Sequence, residues 1–360
     1  MKFNFKNRFL QKPEIFFRAF LSTLFYLIPT FIAAQDFYYI DELKKELIEA
    51  KSDTQKIRLM NELSWELNTV DFLNSLEYAN QALRLAIHKY PQHEATAYNR
   101  MGAAYDLYGK YNEAIENYEK SYEIRIKLGD TVGAANVLIN IGASYYYRGV
   151  YAKALEYYLV ASGLQEKVND KKGLSKTLNN IALIYRVKTE YSKALYYLLR
   201  SLELKKQLKD QAGEMNTLSN IGIVYQSYGD CIKAIEYASR THDLAIELNS
   251  EYDISSSLAN LGEAYLCAKN YTEALKYFFL AEEKLIKNTD INTLAFCYKG
   301  IAHVYKEINQ NEKAIKYYLL SVKYALQAGR KELLSQNYLS LYEINKISGN
   351  YSLALHIYEY

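Results

Sequence analysis

The chain contains little proline, with only three among its 360 residues, at Pro13, Pro29 and Pro91. No proline follows residue 91, so nothing in the rest of the chain forces a helix to break. Half of the residues are hydrophobic, which excludes a disordered chain and allows a large buried core. The composition therefore permits a long, uninterrupted series of helices.

Cysteine and histidine are also scarce. The three cysteines, Cys231, Cys267 and Cys297, are odd in number, and their spacing fits no zinc or redox motif. We interpret all three as small buried or half-buried hydrophobic residues. The five histidines are scattered, and we interpret His88 and His93 as solvated loop residues rather than metal ligands. No metal or other cofactor is predicted.

Sequence motifs of common enzymes are missing. The chain has no phosphate-binding loop, no HExxH or GxSxG motif and no nucleotide-binding glycine pattern, so we do not expect an enzyme. Residues 1–34 carry five basic residues and one acidic residue, so the formal charge of +3 becomes −1 for the remainder. A nearly neutral body gives no electrostatic reason to expect nucleic acid or an anionic membrane as a partner.

The N-terminal segment has the order of a secretory signal peptide. Basic residues up to Arg18 precede the apolar run AFLSTLFYLIPTFI and the small residues Ala33 and Ala34. The run is shorter than the roughly 20 residues that a membrane-spanning helix needs. We predict a signal peptide over 1–34, with cleavage after Ala34. The alternative is an uncleaved anchor, and in both cases we expect the body to be periplasmic or secreted.

A period of 40 residues organises the rest of the chain. Tyrosine, with 38 copies, fills a recurrent position three residues after a small residue. Four sets of residues step by 40: the small residues Gly102, Gly142, Ala182, Gly222, Gly262 and Ala302; the tyrosines Tyr105, Tyr145, Tyr185, Tyr225, Tyr265 and Tyr305; the alanines Ala114, Ala154, Ala194, Ala234, Ala274, Ala314 and Ala354; and Ser121, Ala161, Ser201, Thr241, Ala281 and Ser321.

Each 40-residue unit has the pattern of two antiparallel helices. Apolar residues recur at helical spacing on both sides of a central turn, and Gly149 can adopt the left-handed conformation that ends a helix. Asp130, Asp170 and Asp210 can cap the helix that follows each unit boundary. We therefore predict an all-α solenoid of helix pairs, with helices of about 17 residues and about 25 Å.

The periodicity also predicts the organisation of the chain. We expect a leading amphipathic helix within 35–56 that covers the first pair. We expect about eight helix pairs over 57–360, the last incomplete because only Ser352–Tyr360 remains for its second helix. This end, which lacks a polar capping helix, suggests a fragment or a truncated product.

The repeat resembles the tetratricopeptide repeat (TPR). The resemblance covers residues 57–360 and rests on segments such as NIGASYYYRGVYAKALEYY (140–158), NIALIYRVKTEYSKALYY (180–197) and NLGEAYLCAKNYTEALKYF (260–278). The usual unit has 34 residues, and the 40-residue unit resembles a subgroup found in exported regions of bacterial sensor proteins. The resemblance implies a right-handed superhelix whose first helices line a concave groove, and a partner that is a protein or an extended peptide.

The same resemblance implies a row of groove asparagines that hold a peptide backbone, at Asn140, Asn180, Asn220 and Asn260. An amide can serve this purpose because it offers two donors and one acceptor. The alternative is that each asparagine bonds to the neighbouring repeat and fixes the stacking. Tyr146, Arg186 and Gln226 lie further along the same helices and vary from repeat to repeat, as residues that confer specificity do.

Two functions remain open at this point. The first is a non-catalytic scaffold that binds a protein or peptide outside the cytoplasm, with no nucleic acid, no cofactor and a membrane contact only through an uncleaved N-terminal segment. The second is the sensory input region of a larger signalling protein, a histidine kinase or a nucleotide cyclase, whose catalytic half is absent from this chain.

Overall fold

The computed structural model describes the backbone of residues 30–347 and the side chains of residues 38–346. All regular structure in this range is α-helical, and the chain divides into two compact units after Val150. The predicted signal peptide lies almost entirely outside the described residues, as does the predicted partial helix from Ser352 to Tyr360. Within the described range, no helix is both long enough and apolar enough to cross a membrane.

The helices have nearly uniform lengths. Unit 1 contains α1 (Thr30–Glu49), α2 (Asp53–Leu67), α3 (Phe72–Ala86), α4 (Pro91–Leu107), α5 (Tyr111–Lys127) and α6 (Thr131–Tyr147). Unit 2 contains α7 (Tyr151–Lys167), α8 (Lys171–Val187), α9 (Tyr191–Gln207), α10 (Gln211–Tyr228), α11 (Cys231–Glu247), α12 (Glu251–Cys267), α13 (Tyr271–Lys287), α14 (Ile291–Glu307), α15 (Asn311–Gln327) and α16 (Lys331–Ile347). In every 40-residue repeat the first helix is called A and the second B. The A helices that lie in unit 2 are therefore α8, α10, α12, α14 and α16.

The leading helix differs in its bounds from the range 35–56 expected from the sequence. α1 ends at Glu49, and α2 begins at Asp53. Ser52 sets this boundary because its hydroxyl accepts a hydrogen bond from the backbone N–H of Gln55 at 3.2 Å, which is an N-cap. Buried apolar residues of α1 pack on α2, so the leading helix covers the first pair.

The predicted turns and caps are confirmed. Asp130, Asp170 and Asp210 each accept a hydrogen bond from the backbone N–H three residues later, at 2.9 Å. Gly149 adopts a φ of 75°, in the left-handed region that glycine tolerates best. The repeated turn residues therefore fix where each helix ends and the next begins.

The small-residue positions allow the helices of a pair to approach closely. Ala194, Ala274 and Ala314 have no exposed surface. At the second small position, the Ser201 hydroxyl donates to the backbone carbonyl of Ser175 at 2.7 Å, from a B helix to the A helix before it. Both contacts require short side chains, because a longer one would separate the helices.

Pairs of neighbouring tyrosine rings recur along unit 2. In unit 2 the A-helix tyrosine of each complete pair lies against an aromatic ring of its B helix, with ring centroids 5.2–5.6 Å apart. The pairs are Tyr185 with Tyr197, Tyr225 with Tyr237, Tyr265 with Tyr277, and Tyr305 with Tyr317. Such pairs add a stabilising ring–ring contact to the burial of apolar area.

Two of the three cysteines form a disulfide, so our interpretation of Cys231 and Cys267 as hydrophobic residues is wrong. Cys231 begins α11 and Cys267 ends α12, and their Cα atoms lie 5.6 Å apart. The stacking of successive repeats places the start of a B helix beside the end of the next A helix, although the two positions are 36 residues apart. Cys297 is a buried free thiol, as the hydrophobic interpretation predicts.

Candidate functional site

The A helices of unit 2 form one continuous wall. The backbones of successive A helices from α8 to α16 approach closely. Successive B helices of the unit lie further apart and meet through long side chains, as in the 2.9 Å ion pair of Arg200 with Glu166. This arrangement follows from the small and tyrosine positions, which pack each B helix against the outer side of the A helices. Polar residues on the free side of the A helices therefore face a common surface.

Three of the four predicted groove asparagines are hydrogen-bonded to the repeat before their own. In unit 1, the Asn140 amide donates to Asn99 Oδ1 at 3.1 Å. In unit 2, Asn220 donates to Asn179 Oδ1 at 3.4 Å, and Asn260 donates to the Ser219 hydroxyl at 3.1 Å. Each donor lies 41 residues after its acceptor, so these bonds fix the stacking of neighbouring repeats, which is the alternative raised for these residues.

The stacking bonds do not use up the asparagine amides. An asparagine has two N–H donors and one oxygen acceptor, and each of these bonds uses one donor. The side-chain oxygens of Asn140, Asn220 and Asn260 accept no hydrogen bond within the described part of their own units. Asn180 makes no hydrogen bond within the described part of unit 2. One face of each amide is therefore available to a ligand, and a role in binding remains a prediction.

The three predicted specificity residues occupy different surroundings. In unit 1, the ring of Tyr146 lies edge-on to Tyr147, with centroids 5.5 Å apart. Arg186 is half-buried and makes no hydrogen bond or ion pair with the described residues of unit 2. The Gln226 amide donates to a carboxylate oxygen of Glu263 at 3.4 Å. Arg186 and Gln226 lie on the wall of A helices in unit 2.

Two openings in this wall bring the predicted residues of unit 2 together. A narrow pocket of about 110 Å³ is lined by Asn180, Arg186 and Asn220, with Asn179 and Ile223 beside them. A wide pocket of about 540 Å³ is lined by Arg186, Gln226 and Asn260, together with Glu263, Phe296 and Lys299. Arg186 lines both pockets and thus connects them. Asn140 and Tyr146 belong to unit 1 and line neither pocket.

The sequence analysis missed Glu263, Phe296 and Lys299. Burial has the largest effect on the Glu263 carboxyl and raises its pKa, while Lys299 and the Gln226 amide act in the opposite direction. The signal available in the sequence was a change from an apolar to a charged residue at one position, because Leu183 and Ile223 occupy the equivalent positions in the two preceding repeats. The described residues contain no group of three or more metal-ligating side chains placed to hold a metal ion.

The stacked helix pairs and the polar wall of A helices define a helical-repeat scaffold. The sequence model for the tetratricopeptide repeat matches residues 69–127, 133–207 and 213–283, which together make up more than half of the chain. The chain therefore belongs to the tetratricopeptide repeat family, as the sequence predicts. No curated protein sequence matches the chain significantly.

Solved structures with the same fold are numerous. The apo form of the quorum sensor NprR from B. thuringiensis has a TM-score of 0.64 and 14% identity, over 89% of this chain and 90% of that one. Aspartyl phosphate phosphatase F from Bacillus subtilis has a TM-score of 0.57 and 18% identity, over 80% and 79%. A Rap protein complexed with Competence and Sporulation Factor has a TM-score of 0.53 and 16% identity, over 88% and 99%. At these identities the similarity shows the fold alone.

Proposed function

We propose that this chain is a non-catalytic scaffold that holds an extended peptide, or an extended segment of a partner protein, along the A helices of unit 2. The observation that carries the proposal is the wall with the two pockets, where asparagine amides retain hydrogen-bonding groups beside Arg186, which forms no ion pair with the described residues of unit 2. Amides can hold a peptide backbone without selecting a side chain, and pockets beside them can select the side chains. The Rap structure, which has a bound factor, lends support through its fold.

The groove can be tested by measuring peptide binding to the full chain. We expect a subset of a random peptide library to bind, and the double variant Asn180→Ala, Asn220→Ala to bind the selected peptides about 10-fold more weakly, because two backbone contacts are lost. Asn112→Ala is the matched control, since Asn112 is an exposed residue on the B helix α5. Unchanged affinity of the double variant, measured by calorimetry, would remove the groove from the proposal.

We also propose that the scaffold acts outside the cytoplasm. The signal-like residues 1–34 support this, and so does the disulfide between Cys231 and Cys267, because structural disulfides persist mainly in oxidising compartments. Alkylation of the denatured protein from the cell envelope should label one cysteine before reduction and three after it. Recovery of the chain in the cytosol, with three cysteines labelled before reduction, would contradict the proposal.

A second candidate is the sensory input region of a larger signalling protein. It is favoured by one observation, the fold shared with a protein described as a quorum sensor. Reading the coding sequence beyond Tyr360 tests it. A kinase or cyclase domain in the same reading frame would support this candidate, and a stop codon directly after Tyr360 would eliminate it.

A further inference from the structure

Glu263 is a half-buried carboxylate at a position whose residue type varies along the A helices. The equivalent residues in unit 2 are Leu183, Ile223, His303 and Glu343, and Glu343 accepts a 2.7 Å hydrogen bond from the Lys306 ammonium of the repeat before it. In α8, α10, α12 and α14 the side chain at this position is half-buried and therefore loses part of its contact with water. A carboxylate here is costly to the fold unless a partner compensates its lost hydration.

Neighbouring side chains of the protein compensate the charge of Glu263 only in part. Glu263 is half-buried, and its one hydrogen bond in the described part of unit 2 is the 3.4 Å contact with Gln226, which is long for an N–H···O bond. Lys299 is close enough to affect the pKa but does not form an ion pair with Glu263, because its Nζ donates to Gln336 Oε1 at 3.1 Å. The carboxylate therefore has no ion pair among the described residues.

The carboxylate lies on an apolar floor and opens to the wide pocket. A Cβ atom added to Gly300 would lie 3.0 Å from Glu263 Oε1 and 2.6 Å from Cε1 of the fully buried Phe278. Gly300 occupies the position held by asparagine in the four preceding repeats, so no amide covers the carboxylate from this side. Phe296, 45% exposed, adds an apolar surface on the same helix.

These features point to one kind of ligand group. A carboxylate only accepts hydrogen bonds, and a half-buried one is best compensated by a cationic donor. Resting on the proposed peptide-binding function, we infer that Glu263 forms a subsite for a single lysine or arginine side chain of the bound peptide, with the methylene groups of that side chain against Phe296. The pocket selects this side chain by the charge and by the apolar surface together.

The other charges of the pocket restrict the rest of the peptide. Arg186 and Lys299 also line it, so the pocket carries one more positive than negative charge. A polybasic peptide would be repelled, whereas the two cations can donate to main-chain carbonyls or to acidic side chains of the ligand. The structure assigns to this subsite a peptide with one basic residue among neutral or acidic neighbours.

The experiment uses the full chain and a phage-displayed library of random dodecapeptides. The wild type should enrich peptides with Lys or Arg at one fixed position, and Glu263→Gln should reduce that enrichment about 10-fold, as expected for the loss of one charge-assisted hydrogen bond. Glu263→Lys should instead enrich Asp or Glu there. Glu236→Gln, which removes an exposed carboxylate on the B helix α11, is the matched control and should keep the wild-type preference.

The outcomes separate this inference from the proposed function. If the wild type enriches no peptide, both the groove function and the subsite are wrong. If the wild type enriches peptides without a basic position, or if Glu263→Gln keeps the basic preference with the same thermal unfolding midpoint, the subsite alone is wrong. A preference that Glu263→Gln abolishes and Glu263→Lys inverts supports it.

Discussion

Two neighbouring helix pairs of unit 2 are built on the same pattern and packed in different ways. In the pair α12–α13, Gly262 faces Phe278, a large side chain with no exposed surface. In the pair α10–α11, Gly222 faces the equivalent residue Ala238, and a Cβ added to Gly222 would meet only ordinary contacts at 3.5 Å or more. The second pair thus buries much less apolar area at the same position, which weakens its hydrophobic contribution.

The disulfide links these two pairs. Cys231 begins α11, and the bond ties that helix to the end of α12. At the same register elsewhere the contact is not covalent: Tyr271 donates to Glu307 at 3.4 Å, and in unit 1 Tyr111 stacks on Tyr147 at 6.3 Å. We interpret the disulfide as a covalent replacement for a contact between repeats, at the junction of the two pairs.

The largest effect is expected from removing the buried aromatic ring of the pair α12–α13. Phe278→Ala should lower the free energy of unfolding by about 3–5 kcal/mol, because it removes a fully buried aromatic ring and leaves a cavity. Urea unfolding followed by circular dichroism measures the loss, and amide exchange should localise it to α12–α14. Ala238→Gly, the matched truncation in the other pair, should cost only about 1 kcal/mol. Equal losses would mean that the two pairs do not differ in this way.

The second-largest effect is expected from removing the disulfide between the two pairs. Replacing Cys231 and Cys267 by serine should lower the free energy of unfolding by about 3–4 kcal/mol, the loop-closure term for residues 36 apart in sequence. Dithiothreitol should lower the denaturant midpoint of the wild type to about that of the double variant. It should leave the midpoint of the double variant unchanged. A wild-type midpoint that does not respond to reduction would show that the bond does not stabilise α11 and α12.

Glycine-to-alanine changes should have opposite signs in the two pairs. Gly262→Ala should destabilise the protein by about 1–3 kcal/mol, because the new Cβ would lie 2.5 Å from the Phe278 ring. Gly222→Ala should stabilise it by about 0.5–1 kcal/mol, because alanine costs less backbone entropy in a helix and space is available. Thermal unfolding midpoints of the two variants measure the signs. The same sign for both would argue against the difference in packing.

The smallest effect concerns the start of α10. The Lys205 ammonium, at 2.6 Å, and the backbone N–H of Gly213 lower the pKa of Asp210. A carboxyl group whose pKa is lower in the folded than in the unfolded state stabilises the folded protein at pH values above its unfolded pKa of about 3.9. This stabilisation is lost as the pH falls through the pKa of the folded state. Asp210→Asn should therefore be less stable than the wild type by about 0.5–1 kcal/mol at pH 7, and nearly equal to it at pH 2.

Unfolding followed at both pH values tests this prediction. Asp41→Asn is the control, because Asp41 is exposed and its ion pair with Lys44 should contribute little at either pH. A difference between Asp210→Asn and the wild type that is unchanged at pH 2 would show that the carboxylate charge is not responsible.

The repeated features of the fold could be predicted from the sequence, because each is encoded several times. The small, tyrosine and alanine positions identify two helices per unit, and the boundary aspartates mark where the A helices begin. The pairing of Cys231 with Cys267 could not be predicted in the same way, because it depends on which ends of different repeats come together. Glu263 was missed because a search for periodic residues passes over a position where the residue type varies from repeat to repeat.

The candidate site was predicted in part. The sequence placed Asn180, Arg186, Asn220, Gln226 and Asn260 on the A helices, and the structure brings them together around the two pockets. The direction of the amides was not predictable, since the same residue type can face a ligand or the next repeat. Their acceptors lie 41 residues earlier, at positions where the residue type changes from repeat to repeat.

The disulfide also bears on how such an array can change its length. A series of equal helix pairs can gain or lose one pair with little disturbance, because each pair contacts mainly its neighbours. Cys231 and Cys267, however, belong to different pairs. Deleting residues 211–250 or 251–290 would leave one cysteine without its partner, exposed to reaction with other thiols. For neither cysteine to lose its partner, the two pairs α10–α11 and α12–α13 would have to be deleted together, as a single block of 80 residues.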